Sequence, residues 1–116
     1  MSIRVHWRLS FTLNWTILPH RHVPPGGIFS MVDIAAGSRH ADNLDHPLAP
    51  FLYTVSLLHC LPVGRVDGGA GLGMMWGRER ALDLLRQAGF TQVEVQTMSH
   101  DPFNDHYLCR KGSNRP

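Results

Sequence analysis

The chain has 116 residues, enough for one small domain with a modest core. An apolar share of 43% with 17% charged residues excludes an intrinsically disordered chain. A net charge of +2, carried by scattered basic residues, excludes a nucleic-acid partner, and no apolar run reaches the roughly 18 residues of a membrane helix, so no membrane partner is expected.

Residues 7–18 alternate with period two. Trp7, Leu9, Phe11, Leu13, Trp15 and Ile17 are apolar, and the residues between them are polar, which predicts a half-buried strand. The same interruption by polar residues, with no small-residue cleavage site after it, argues against a signal peptide. Cys60 and Cys109 show no disulfide-framework spacing, so reduced thiols and a cytoplasmic chain are expected.

Residues 20–27 read as a turn, because Pro24-Pro25-Gly26-Gly27 continues neither a helix nor a central strand. The nearly continuous apolar run Ile28–Ile34 suits a strand covered on both faces. Residues 35–45 are small, polar or charged and predict a surface loop, with Asn43, Asp45 and His46 as loop and capping residues. Residues 47–61 predict a helix with a buried stripe of Phe51, Leu52, Val55 and Leu58, stopped by Pro62-Val63-Gly64. A glycine-rich loop follows over residues 66–73.

Residues 76–88 give the clearest helix, with Ala81, Leu82, Leu84, Leu85 and Ala88 on one face and Arg78, Glu79, Asp83 and Arg86 on the other. Gly89 stands where a left-handed cap belongs, with Phe90 packing behind it. Residues 91–98 alternate as a strand, and 106–110 predict a short final one.

Several stretches of this order resemble the C-terminal end of class I S-adenosylmethionine-dependent methyltransferases, in a bacterial subfamily with an N-terminal winged-helix domain. They are "VPPGGIFSMVDI" (23–34), "DNLDHPLAPFLYTVSLLHC" (42–60), "GGAGLGMMWG" (68–77), "LLRQAGFTQVEV" (84–95) and "DPFNDHYLCRK" (101–111). The resemblance covers residues 23–111. It sets 1–22 apart as an extra N-terminal segment and 112–116 as a disordered tail. It implies an α/β fold: the C-terminal portion of a Rossmann-like sheet, strands five to seven, with one main helix and a helical insertion. The last strand would be antiparallel and slotted between the fifth and sixth. The cofactor of the intact family sits on the first four strands, at their carboxyl ends. Those strands are not in these residues, so the chain is expected not to bind S-adenosylmethionine alone and to be inactive alone.

The resemblance also places the insertion over a small-molecule acceptor, with Tyr53, His59 and Trp76 as substrate-side candidates. Each has a plainer reading as a packing or structural residue. Methyl transfer from a sulfonium is a direct displacement, so a general base is needed only when the acceptor loses a proton. His59 is the weak catalytic candidate for that role. An alternative reads Gly69, Gly71 and Gly73 as a cofactor loop, with Glu94 about twenty residues on. Such a loop must follow a buried strand, and Pro62 and Gly64 stand in that place.

Eight histidines invite a metal reading. No four-ligand spacing emerges, and on a strand His106 and Cys109 would face opposite ways, so no metal is expected. Two further expectations follow from the resemblance. Without a fourth strand, one edge of Ile28–Ile34 is open to self-association, or to cover by the 7–18 strand. A second class of function is therefore an interaction module that completes its sheet with a partner chain.

Overall fold

The computed structural model describes residues 2–3 and 18–113. The strand expected over 7–18 lies outside them apart from Leu18, which opens a helix, α1 (Leu18–His22). The stretch 20–27 is therefore not all turn: its first three residues are helical, and the chain turns at Pro25 and Gly26. The Lys111 ammonium supports the end of α1, donating to the carbonyls of His20 at 2.7 Å and Val23 at 2.8 Å.

The fold is α/β. A two-residue strand β1 (Ser2–Ile3) pairs in parallel with β2 (Ile28–Ile34), matching Ser2 to Ile28 and Ile3 to Phe29. The insertion then runs through α2 (Ala49–Val55), a π turn (Ser56–Cys60) and α3 (Leu61–Gly64). It returns to the main helix α4 (Arg78–Gln87), which precedes β3 (Gln92–Met98) and β4 (Asp101–Arg110). The strand order is β1-β2-β4-β3. β4 is antiparallel to both β2 and β3, so β2 and β3 run parallel to one another with β4 between them.

β4 starts five residues earlier than alternation suggests, at Asp101 rather than His106. Ser99 and His100 form a tight turn after β3, and pairing with β2 begins only at Asn104. Pro102 thus stands before the two-sided part of the strand, where a missing N–H removes no β2 bond.

α4 packs Ala81 and Leu85, with Ala88 just past its end, onto Phe29, Met31, Tyr107 and Cys109 of the sheet. Phe90 closes this core, its ring stacked on Phe29 at 5.6 Å. The helix ends in a Schellman motif, with Phe90 N–H on Leu85 O at 3.1 Å and Gly89 N–H on Arg86 O at 2.9 Å. Gly89 has φ +101°, which a side chain would resist. Burial pushes the Cys109 thiol up to about 12, so it stays protonated and unreactive.

Among the described residues, β2 is not covered on both faces. Phe29 and Met31 are buried, whereas Val32 on the other face is 52% exposed. Among the described residues, helical cover lies over the Phe29 face alone; at the far end Ile34 joins a second small cluster of Ala49, Leu52 and Met75.

The insertion departs from the expected stripe as well. The helix runs through Pro62 and ends at Gly64, within the expected stop, but Phe51 and Leu58 are 65% and 75% exposed. A π turn closes with Leu61 N–H on Ser56 O, one residue further back than an α-helical bond. That extra residue shifts the phase of the three-and-four spacing, so the buried line runs through Ala49, Leu52 and Cys60. A proline ring crowds the carbonyl four residues back. For Pro62 that is Leu58, inside the widened turn, and the helix continues past it.

Candidate functional site

The insertion leaves the sheet at the carboxyl end of β2 and comes back at the first turn of α4, so these two points define its base. Arg78 N–H donates to Ala36 O at 2.8 Å. Ser38 N–H donates to Glu79 Oε2 at 2.8 Å, and Arg80 N–H to Ser38 Oγ at 3.0 Å. Gly77 lies at the crossing with φ +85° and ψ 164°, a region only glycine occupies readily. A Cβ there would run into the backbone of Gly37 and Ser38.

Asn43 ties the exit loop down. It is buried, not merely a loop residue, and accepts Gly37 N–H at 2.8 Å through Oδ1. Its amide group donates to Gly37 O at 2.8 Å, Arg39 O at 3.1 Å and Tyr53 Oη at 2.8 Å. The Tyr53 ring lies 4.8 Å from that of His40. Tyr53 therefore belongs to the packing of this loop.

Above the crossing is an open cleft of about 330 Å³. Ala70, Gly71, Leu72, Met75, Trp76, Ser38 and Arg80 line it, and polar atoms make up most of its exposed lining. Trp76 also packs against the main core, which fixes the wall to the sheet. Of the three substrate-side candidates, Trp76 alone lines this cleft. His59 lies on the exposed side of the π turn, while its neighbour Cys60 is buried.

Of the three loop glycines, Gly71 lines the cleft and Gly69 and Gly73 do not. What precedes them is α3 and a 3-10 turn (Val66–Gly68), not a strand, so the backbone is not delivered to a sheet edge as a cofactor loop requires. Ser56 Oγ accepts Met74 N–H at 2.9 Å and sits where a Gly73 side chain would fall.

Beneath the cleft, between α4 and the sheet, lies a polar cluster. Arg78 reaches inward from its expected outer face and grips Asp105 with two bonds of 2.8 and 2.7 Å. Asp105 is fully buried while the Arg78 side chain keeps 44% of its surface exposed, so the pair joins a buried carboxylate to a guanidinium at the surface. Asp33 is its register partner on β2. Burial, reinforced by the nearby Asp105 carboxylate, raises Asp33 to about 7, against the opposing bond from Ile34 N–H at 2.8 Å. The Tyr107 hydroxyl is buried without a hydrogen-bond partner among the described residues. Burial first, and then the Asp105 and Asp33 carboxylates, push its pKa up.

Neither Asp105 nor Arg78 stood out in the sequence as a site residue. The signal was present in β4, where Asp105, Tyr107 and Cys109 share one period-two face and all three are buried. An acidic residue on such a face needs a basic partner, and α4 supplies one. His106 lies on the opposite face from Cys109 and bonds Asp101 through Nε2 at 2.9 Å. No group of three or more metal-ligating side chains comes together among the described residues.

No helix among the described residues is long and apolar enough to cross a membrane. No protein-family model matches the chain, and no curated protein matches it.

Proposed function

We propose that the chain is the substrate-side, C-terminal portion of a class I S-adenosylmethionine-dependent methyltransferase and that it does not turn over alone. The strand order carries this reading. An antiparallel strand set between two mutually parallel ones is what the resemblance implies for strands five, seven and six, and β2, β4 and β3 have that arrangement. The position of the insertion supports it too, because open α/β sheets take their ligands at the carboxyl ends of the strands.

S-adenosylmethionine supplies an electrophilic methyl group when bound, but the residues described do not fit it. Among them, no strand feeds a glycine turn and no acidic residue ends such a strand's neighbour. This chain's own part is to hold an acceptor with Trp76, Ser38 and Arg80 and to exclude water with the insertion. His59 is exposed and does not line that cleft, so it is not assigned a proton transfer.

Two measurements test the reading. Calorimetric titration of the 116-residue chain with S-adenosylmethionine is expected to give no saturable heat. Saturable binding lost on Gly71→Val would overturn it in favour of an independent cofactor binder. Sequencing the DNA upstream of the first codon should reveal a frame with an acidic, glycine-rich turn after a strand. If no frame encodes one, the methyltransferase reading fails.

One observation favours a second reading, a sheet completed by a partner chain. β1 pairs with Ile28 and Phe29 only, leaving residues 30–34 of β2 without a described strand on that side. A co-purifying chain that protects those amides from hydrogen exchange would favour it.

A further inference from the structure

We infer that two copies of this chain pair through the outer face of the insertion helix, residues 49–64. The inference does not rest on the methyltransferase reading.

The first argument is the make-up of that face. α2, the π turn and α3 follow one another without a break, so residues 49–64 form one helical rod. Its inner line, Ala49, Leu52, Cys60 and Gly64, is buried. Its exposed positions Phe51, Thr54, Leu58 and Pro62 recur at three-and-four spacing, with Pro50 and Val63 beside them. The π turn widens this side by presenting Leu57, Leu58 and His59 together. No Asp, Glu, Lys or Arg occurs between Asp45 and Arg65. The solvent side of a surface helix ordinarily carries charge, and this one is apolar instead.

The second argument is area. Phe51 and Leu57 are 65% exposed and Leu58 is 75% exposed. With the two prolines and Val63, the face offers about 500 Å² on each chain, so a pair buries on the order of 1,000 Å². That is the size at which specific interfaces begin, and it is well below that of obligate dimers. The expected dimer is therefore weak, with a Kd of about 10–100 μM. Chain diluted well below that range is monomeric, and there substitutions on this face leave stability unchanged.

The third argument is charge, which selects a second copy as the occupant. The chain has a net charge of +2, so most faces of two copies repel one another. A two-fold axis lays a face on itself, and a face without charge meets no repulsion there. A partner chosen by opposite charge finds nothing on it to pair with. An antiparallel crossing centred near Thr54 sets Phe51 of one copy against Leu57 and Leu58 of the other. Thr54 suits the centre, because its hydroxyl already donates to Pro50 O at 2.7 Å and needs no water.

The test is sedimentation equilibrium of the 116-residue chain from about 1 to about 500 μM. A monomer–dimer equilibrium is expected. Leu58→Arg and Phe51→Arg should each raise Kd at least about tenfold, by setting buried cations against the facing copy. Both positions are exposed, so the fold should survive, checked by circular dichroism. Phe51→Glu with Leu58→Arg should recover part of the affinity, because the antiparallel crossing brings the two opposite charges together. A chain that stays monomeric over this range overturns the inference. So does a dimer whose Kd neither arginine variant changes, as in association through the open edge of β2. A monomer that partitions onto phosphatidylcholine vesicles would assign the face to lipid and overturn it as well.

Discussion

Phe29 and Phe90 stack inside the sheet half of the molecule, while Phe51 and Leu58 of the insertion face outward. The two regions are similarly rich in apolar residues but use them differently. Around the sheet, α4 and two flanking strands enclose one continuous core. In the insertion, Ala49, Leu52 and Met75 form a small buried cluster among the described residues, and Leu57 and Val66 are also exposed. Apolar content alone therefore does not make a core; an opposing surface does. The sheet half should hold the stability, and the insertion should tolerate change.

That contrast can be broken most forcefully at Phe90. Phe90→Ala should lower unfolding free energy by about 4 kcal/mol, read from denaturant melts, because it empties a fully enclosed site. Arg78→Met should cost about 3 kcal/mol by leaving the buried Asp105 carboxylate unpaired, and Arg78→Met with Asp105→Asn should recover part of the loss. Gly77→Ala should cost on the order of 2–3 kcal/mol and loosen the insertion first, visible as faster amide exchange at Ser38 and Arg80.

Asp33 sharpens the comparison through pH. Its folded pKa of about 7 lies above the ordinary 3.8, so the native state binds more protons between those values. Stability from this group is present below 3.8 and is lost as pH rises through about 7. Asp33→Asn should thus be on the order of 2 kcal/mol more stable than the parent near pH 8 and equal to it near pH 4, in paired thermal melts. A parent whose stability is flat over that range would refute the assignment. The smallest effect belongs to the insertion: Phe51→Ser and Leu58→Ser should each stay within about 0.5 kcal/mol of the parent.

The same division governed what the sequence could tell. β2 has the bounds Ile28–Ile34 that its apolar run suggests, and α4 and β3 differ from their expected spans by one or two residues. Each carries a clear period or a capping signal such as Gly89. The insertion was legible as helical but not in phase, because a π turn changes the residue count per turn without a sequence mark of its own. The cleft was half legible. Trp76 was singled out, whereas Ser38 and Arg80 were not, since 42 residues of chain separate them and only the fold brings them together. Tyr53 was placed toward a substrate by the resemblance, and in the fold its hydroxyl accepts from the Asn43 amide.

The central place of β4 has a consequence for how the molecule is made. The strand that joins β2 to β3 follows both of them in the chain, and each pairs with it along seven matched positions. During synthesis neither can find that neighbour until the ribosome has passed Arg110. Until then β2 and β3 wait with open edges, and the Phe29 face has only α4 to lean on. Closure of this sheet is a late, long-range event, which slows folding and lengthens the exposure of sticky intermediates. A nascent chain stalled before Asp101 should be captured by chaperones, and one released beyond Lys111 should not.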